Sequence, residues 1–79
     1  MNIIWSKSDC TYCDRAKDFF EYKGLSYEER NVEGGEWTLD QMLEAIPGAR
    51  SFPQIFMEGK YIGGYQELVT HLAIGNISL

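Results

Sequence analysis

Cysteine is scarce in this chain, histidine scarcer, and basic residues are outnumbered; each shortage removes a class of function. Two cysteines in 79 residues are too few for a disulfide-stapled secreted miniprotein, and a bond between near neighbours closes too small a loop to restrain much of the unfolded chain. Those two cysteines and the single histidine, His71, fall short of the four ligands of a structural zinc site, so no metal is expected. Seven Lys and Arg against twelve Asp and Glu leave a net charge of −5, which disfavours nucleic acid or an anionic membrane as the main partner. Any anion it binds needs a local positive site. No stretch approaches the roughly 20 consecutive apolar residues of a membrane span. The start, Met1-Asn2-Ile3-Ile4-Trp5, has no basic stretch, long apolar run or cleavage site, so a cytoplasmic location is expected.

What is present describes one small folding unit, a single domain over residues 1–79. Hydrophobic residues make up 44%, aromatics 14% and charged residues 24%, a globular composition and not a disordered one. A domain of this size buries only about 60% of its unfolded surface, so loops are expected to be short.

Met1 to Ser6 is apolar, β-branched and aromatic, and runs into the polar turn Lys7-Ser8-Asp9, which predicts a buried first strand. From Thr11 to Lys23 the apolar residues Cys13, Ala16, Phe19, Phe20 and Tyr22 recur at helical spacing, and Gly24 stops the run. Ser26 to Val32 reads as a strand whose Glu28, Glu29 and Arg30 suit a sheet edge. Thr38 and Gln41 have the form of a capping box for a short helix ending at Pro47-Gly48, with Trp37 placed as a hydrophobic staple. Gln54 to Met57 and Lys60 to Ile62 flank Glu58-Gly59 as a hairpin. Tyr65 to Ile74, with Leu68, Val69, Leu72 and Ala73, is again helical and closed by Gly75, leaving Asn76 to Leu79 as a tail. The order is β-α-β-α-β-β-α, with a right-handed crossover joining the first two parallel strands.

The two cysteines stand three apart, Cys10-Thr11-Tyr12-Cys13, at the start of the first helix. Two cysteines that merely pack are one reading; a redox pair is the other, and it has a mechanism. At a helix start, free N–H groups and the dipole favour an anion, so Cys10 is expected to ionise more easily than a free thiol and act as nucleophile, with Lys7 adding positive charge. Cys13, one turn further in, is placed to resolve a mixed disulfide on Cys10. Cys-x-x-Cys near a βαβ pattern is a thioredoxin-like redox signature. Two further segments suggest a cleft beside it. Ser51-Phe52-Pro53 reads as a strand start or a cis turn that leaves backbone groups free. Gly63-Gly64 lets the chain approach a ligand before the N-terminus of the last helix.

In Lys7, Cys10-Thr11-Tyr12-Cys13, Ser51-Phe52-Pro53-Gln54-Ile55-Phe56, Gly59 through Ile62 and Gly63-Gly64-Tyr65, taken in this order and spacing, the chain resembles the glutaredoxins over nearly its whole length. Its small size and spare loops resemble the bacterial or phage type, which implies a cytoplasmic location, the host's if the chain is phage-encoded. The resemblance implies an α/β thioredoxin-like fold, a four-stranded mixed sheet in order 4-3-1-2 with three helices. It implies a cis Pro53 against the dithiol and backbone pairing of Phe52 with the cysteine of glutathione. Lys7 would hold the glycine-end carboxylate of the tripeptide and Tyr12 would line the groove. Gly64 and Tyr65 would present N–H groups to the γ-glutamyl carboxylate.

Three departures from the family pattern stand out. Thr11 replaces a frequent proline, which alters the redox potential and the exposure of the first turn. Phe52 replaces the usual valine in the cleft wall. Gln66 takes the place of an aspartate that meets the amino group of glutathione, so a charge-assisted contact is missing and weaker affinity is expected, with Glu67 as the neighbouring carboxylate. Arg50, beside Ser51, is a candidate contributor to the anion site, whereas His71 reads as a helix-surface residue. Trp5, Phe19, Phe20, Phe56 and Leu68 read as core.

The implied activity is thiol–disulfide exchange on protein disulfides and glutathione mixed disulfides, with glutathione as reducing co-substrate, no bound cofactor and a monomeric chain. Ribonucleotide reductase is an electron acceptor implied by the family. Two alternatives stay open: a hydrogen donor recharged by thioredoxin reductase, and a dimer holding an iron–sulfur cluster through Cys10 and glutathione.

Overall fold

A computed structural model describes the backbone over residues 1–75 and the side chains over residues 1–71. The elements follow as β1 (Ile3–Ser6), α1 (Thr11–Tyr22), β2 (Glu28–Asn31), α2 (Leu39–Ala45), β3 (Gln54–Met57), β4 (Lys60–Gly63) and α3 (Tyr65–Gly75). The predicted order is therefore the observed one. The predicted tail, Asn76 to Leu79, and the side chains of Leu72 and Ala73 lie outside the described residues.

One four-stranded sheet runs β2-β1-β3-β4, the 4-3-1-2 arrangement. β1 pairs parallel with β2 in the register Ile4↔Glu29 and antiparallel with β3 as Ile4↔Ile55, and β3 pairs antiparallel with β4. The charged β2 lies at one edge, where among the described residues no further strand pairs with it. β2 is shorter than its hydrophobic pattern predicts because Asn31 starts a turn: its side-chain oxygen accepts from the Glu33 N–H at 2.7 Å and its carbonyl from Gly34.

The period-two alternation of β1 divides the core between the two faces of the sheet. Ile4 packs with Ala16, Phe20, Ile55 and Leu68, under α1 and α3. Trp5 packs on the opposite face with Met42 and Ile46, and Phe52, Trp37 and Phe56 close over them. Helix ends are fixed by their own residues. After α1, Lys23 is the C-cap and Gly24 adopts φ +71°; the Leu25 N–H reaches the Phe20 carbonyl and the Gly24 N–H that of Glu21, a Schellman ending that needs glycine there. The Thr38–Gln41 capping box before α2 is complete in both directions.

A polar network ties α1 to the parallel strand pair. The buried Ser6 hydroxyl donates to Glu29 Oε2 at 2.7 Å, and Lys17 Nζ lies 3.0 Å from the same oxygen. Burial alone raises the Glu29 carboxyl, but the hydrogen bonds from Ser6 and Lys17 outweigh it and hold the group below the usual range. Lys17 is raised, chiefly by its hydrogen bond to Glu29. Next to this network Tyr27 donates to Glu21 at 2.9 Å and packs on Phe20; burial, then that hydrogen bond, pushes its hydroxyl up to about 12.

Candidate active site

The turn Lys7-Ser8-Asp9 leads from β1 to α1, with Asp9 at φ +54°, a left-handed conformation that aspartate tolerates better than most residues. It delivers Cys10 to the N-cap of α1 in an extended conformation (φ −119°, ψ 104°), so its side chain turns back over the first turn of the helix. Cys10 Sγ accepts a hydrogen bond from the Cys13 N–H at 3.1 Å. An orphan donor of the helix start thus points at that sulfur, where it and the helix dipole favour negative charge.

The two cysteines are disulfide-bonded, with Cα atoms 5.2 Å apart, inside the range that a bridge spans without moving the backbone. Cys10 is 9% exposed and Cys13 1%. An incoming disulfide therefore meets Cys10 first, and Cys13 is the more enclosed of the two.

The Phe52–Pro53 peptide bond is cis, and this turn forms one wall of an open groove of about 360 Å³. Tyr12, Ser51, Phe52, Pro53, Gly64, Tyr65, Gln66 and Glu67 line it. Seven of the residues singled out from the sequence thus share one cleft beside the dithiol: Tyr12, Ser51, Phe52, Pro53, Gly64, Tyr65 and Gln66. Lys7 reaches its rim, with Nζ 5.8 Å from the centre of the Phe52 ring. The Tyr12 and Tyr65 rings stand 5.8 Å apart across the α1–α3 side, and the Arg15 guanidinium lies 5.3 Å from the Tyr12 ring. Thr11 and Arg50 are exposed and do not line the groove.

Two residues named in the sequence take roles that the sequence reading did not assign to them. Gln54, buried in β3, donates to the Ser51 carbonyl at 2.9 Å and hydroxyl at 3.2 Å, while the Tyr61 hydroxyl donates to its oxygen at 2.6 Å. This side chain fastens the cis-proline turn to the sheet. Glu67 is the other: its carboxylate accepts the Gly64 N–H at 2.9 Å. That donor was expected to be open for a ligand, and here a carboxylate of the chain already sits on it. With Gly64 at the N-cap and Glu67 third in α3, the contact is one half of a capping box. The signal was present in the spacing, but glycine at the cap position, with no hydroxyl, hid it.

A glutaredoxin family model matches residues 2–62. The chain belongs to the glutaredoxin family. It is 34% identical to glutaredoxin 3 of Escherichia coli over 94% of its own length and 88% of that protein. It is 35% identical to glutaredoxin-C8 of rice, over 96% of its length but only 59% of that longer chain. A buckwheat glutaredoxin solved as its glutathione complex superposes with a TM-score of 0.80 at 26% identity, over 98% of this chain and 72% of that one. As a glutaredoxin with Cys10 and Cys13 paired at the helix start, it is a thiol–disulfide oxidoreductase. Among the described residues no helix is long and apolar enough to cross a membrane.

Proposed function

We propose that this glutaredoxin is a glutathione-dependent dithiol reductase of protein disulfides and glutathione mixed disulfides. The observation that carries the reading is the sulfur of Cys10 capping α1 beside a groove walled by Tyr12, the Phe52–Pro53 turn and Gly64. Reduced Cys10, as thiolate, attacks one sulfur of the substrate disulfide and releases the other as a thiolate that takes a proton. Cys13, as thiolate, then attacks the Cys10 sulfur of a protein mixed disulfide, freeing the second thiol and closing Cys10–Cys13. Two glutathiones restore the dithiol and leave as glutathione disulfide. For small glutathionylated substrates Cys10 alone suffices.

In this reading the backbone of Phe52, beside Ser51 and the cis Pro53, pairs with the cysteine residue of glutathione. Lys7 holds its glycine-end carboxylate, with Arg50 and Thr11 at the outer margin. Gly64 and Tyr65 face the γ-glutamyl carboxylate, and Gln66 is the neutral neighbour there. The domain spans residues 1–79, acts as a monomer in the cytoplasm (the host's, if the chain is phage-encoded), and is a candidate electron donor to ribonucleotide reductase.

Turnover of a glutathione mixed disulfide, coupled to NADPH and glutathione reductase, tests the reading. Activity is expected in the native chain, lost in Cys10→Ser and partly kept in Cys13→Ser. No turnover with glutathione, and recovery with thioredoxin reductase in its place, would replace the reading by that of a donor recharged by thioredoxin reductase.

A further inference from the structure

We infer that Gln54 and Tyr61 are positioning residues for the exchange reaction: the Tyr61 hydroxyl, through the Gln54 amide, fixes the peptide plane between Ser51 and Phe52 and with it the direction of the Phe52 N–H. The inference rests on the glutathione reading above, in which the Phe52 backbone pairs with the substrate. Gln54 is 5% exposed, so each polar atom of its amide needs a partner inside the protein. Its Nε2 donates to the Ser51 carbonyl at 2.9 Å and to the Ser51 hydroxyl at 3.2 Å, and its Oε1 accepts the Tyr61 hydroxyl at 2.6 Å. The amide can stand only this way round. A carbonyl accepts and cannot donate, so the opposite orientation would set two acceptors face to face at Ser51.

The strand pairing brings Tyr61 within reach. It stands opposite Phe56 on the β3–β4 ladder, which makes Gln54 its diagonal neighbour, and the ladder shifts register between Ile55 and Phe56; a side chain as long as tyrosine spans that diagonal. Its ring lies 5.6 Å from the Phe56 ring. Gln54 and Tyr61 thus belong to the sheet, whereas Ser51 and Phe52 belong to the turn before it, and neither Gln54 nor Tyr61 lines the groove. They act on the groove through the peptide plane. The Ser51–Phe52 unit is trans, and a planar trans unit points its C=O and N–H in opposite directions. Pinning the Ser51 carbonyl to the Gln54 amide therefore aims the Phe52 N–H away from the sheet. Pro53 has no N–H, which leaves that of Phe52 as the donor beside it.

The test mixes the reduced full-length protein with glutathione disulfide or with hydroxyethyl disulfide, which is neutral and has no peptide backbone to pair. In each reaction one substrate disulfide becomes two thiols while the Cys10 and Cys13 thiols become a disulfide. Rates are read by quenching with an alkylating reagent and measuring the mass of the protein. Tyr61→Phe removes one hydroxyl and keeps the ring against Phe56. It is expected to slow the reaction with glutathione disulfide about fivefold, the contribution of one neutral hydrogen bond, and to leave the hydroxyethyl disulfide rate unchanged. Gln54→Met, close in shape, loses both bonds to Ser51 and slows the peptide disulfide further. Because Tyr61 acts through Gln54, the double variant is no slower than Gln54→Met alone. Equal slowing of the two disulfides, no slowing of either, or losses that add in the double variant would each overturn the inference. A native chain that reduces glutathione disulfide no faster than a small free thiol does removes the glutathione reading and the inference with it, a result seen before any variant is compared.

Discussion

Replacing Lys17 by methionine keeps the aliphatic stem of the side chain and removes its ammonium, so it isolates the charge in the Ser6–Glu29–Lys17 network. Lys17 Nζ lies 3.0 Å from Glu29 Oε2 and 3.4 Å from Asp14, and the Lys17 and Glu29 side chains are 25% and 34% exposed. That exposure places the pair between a solvent-screened surface bridge and a buried charge-assisted hydrogen bond, so the expected loss at pH 7 is about 1 kcal/mol. In a domain of this size that lowers Tm by roughly 4–8 °C.

The pH dependence gives the sharper check. Glu29 is held below its unfolded value of 4.5, so its contribution is complete above that pH and is lost as pH falls through the lower folded value. Lys17 is held above its unfolded value of 10.5, so its share persists until pH rises through the folded value. Urea unfolding of the native chain and Lys17→Met should differ fully at pH 7 and converge in acid well below 4.5. Combined with Glu29→Gln, the cycle should return a coupling of about 1 kcal/mol at pH 7. A difference of equal size at both pH values would refute the argument, because it would assign the loss to packing of the stem.

Other outcomes follow from the same structure. Phe20→Ala should cost about 3–5 kcal/mol, since the ring is fully buried between α1 and the sheet; against a total of roughly 5–15 kcal/mol this is a large fraction, and denaturant midpoints will read it. Thr38→Ala breaks the capping box of α2 and should cost about 1 kcal/mol by the same assay. The absorbance titration of Tyr27 should centre at about 12; in Glu21→Ala it should fall only part of the way toward 10, because burial, the larger cause, remains. Since Tyr27 binds its proton more tightly in the fold, its share of stability is lost as pH rises from 10 through 12. Lys7→Ala should raise KM for a glutathione mixed disulfide severalfold with kcat nearly unchanged, as expected of a group that binds ground and transition states alike.

The features legible in the sequence are those written locally. The Thr38–Gln41 box, the Gly24 stop and the Glu58-Gly59 hairpin, whose residues have φ +53° and +80°, each depend on side chains within a few positions of one another. The cleft was legible for another reason: the Cys-x-x-Cys pair, Ser51-Phe52-Pro53 and Gly63-Gly64 form a pattern that resemblance can read across long separations. What escaped depends on register. Ser6 meets Glu29 only because β1 pairs with β2 as Ile4↔Glu29, and Arg30 reaches Trp5 and Trp37 only because the same pairing sets Trp5 opposite it. Gln54 read as one more strand residue, and nothing in its neighbourhood announced that its amide would fasten the Ser51 turn.

Phe52 belongs to two places at once, lining the groove and packing against the cluster of Trp5, Met42 and Ile46. The chain has only two tryptophans; Trp5 and Trp37 meet edge to face at 5.6 Å, with the Arg30 guanidinium 4.1 Å from the Trp37 ring. All of its indole emission therefore originates in the layer that Phe52 joins to the groove. The protein carries its own optical probe: a ligand that shifts Phe52 changes the surroundings of the cluster that holds Trp5, and occupancy becomes readable in an unlabelled sample.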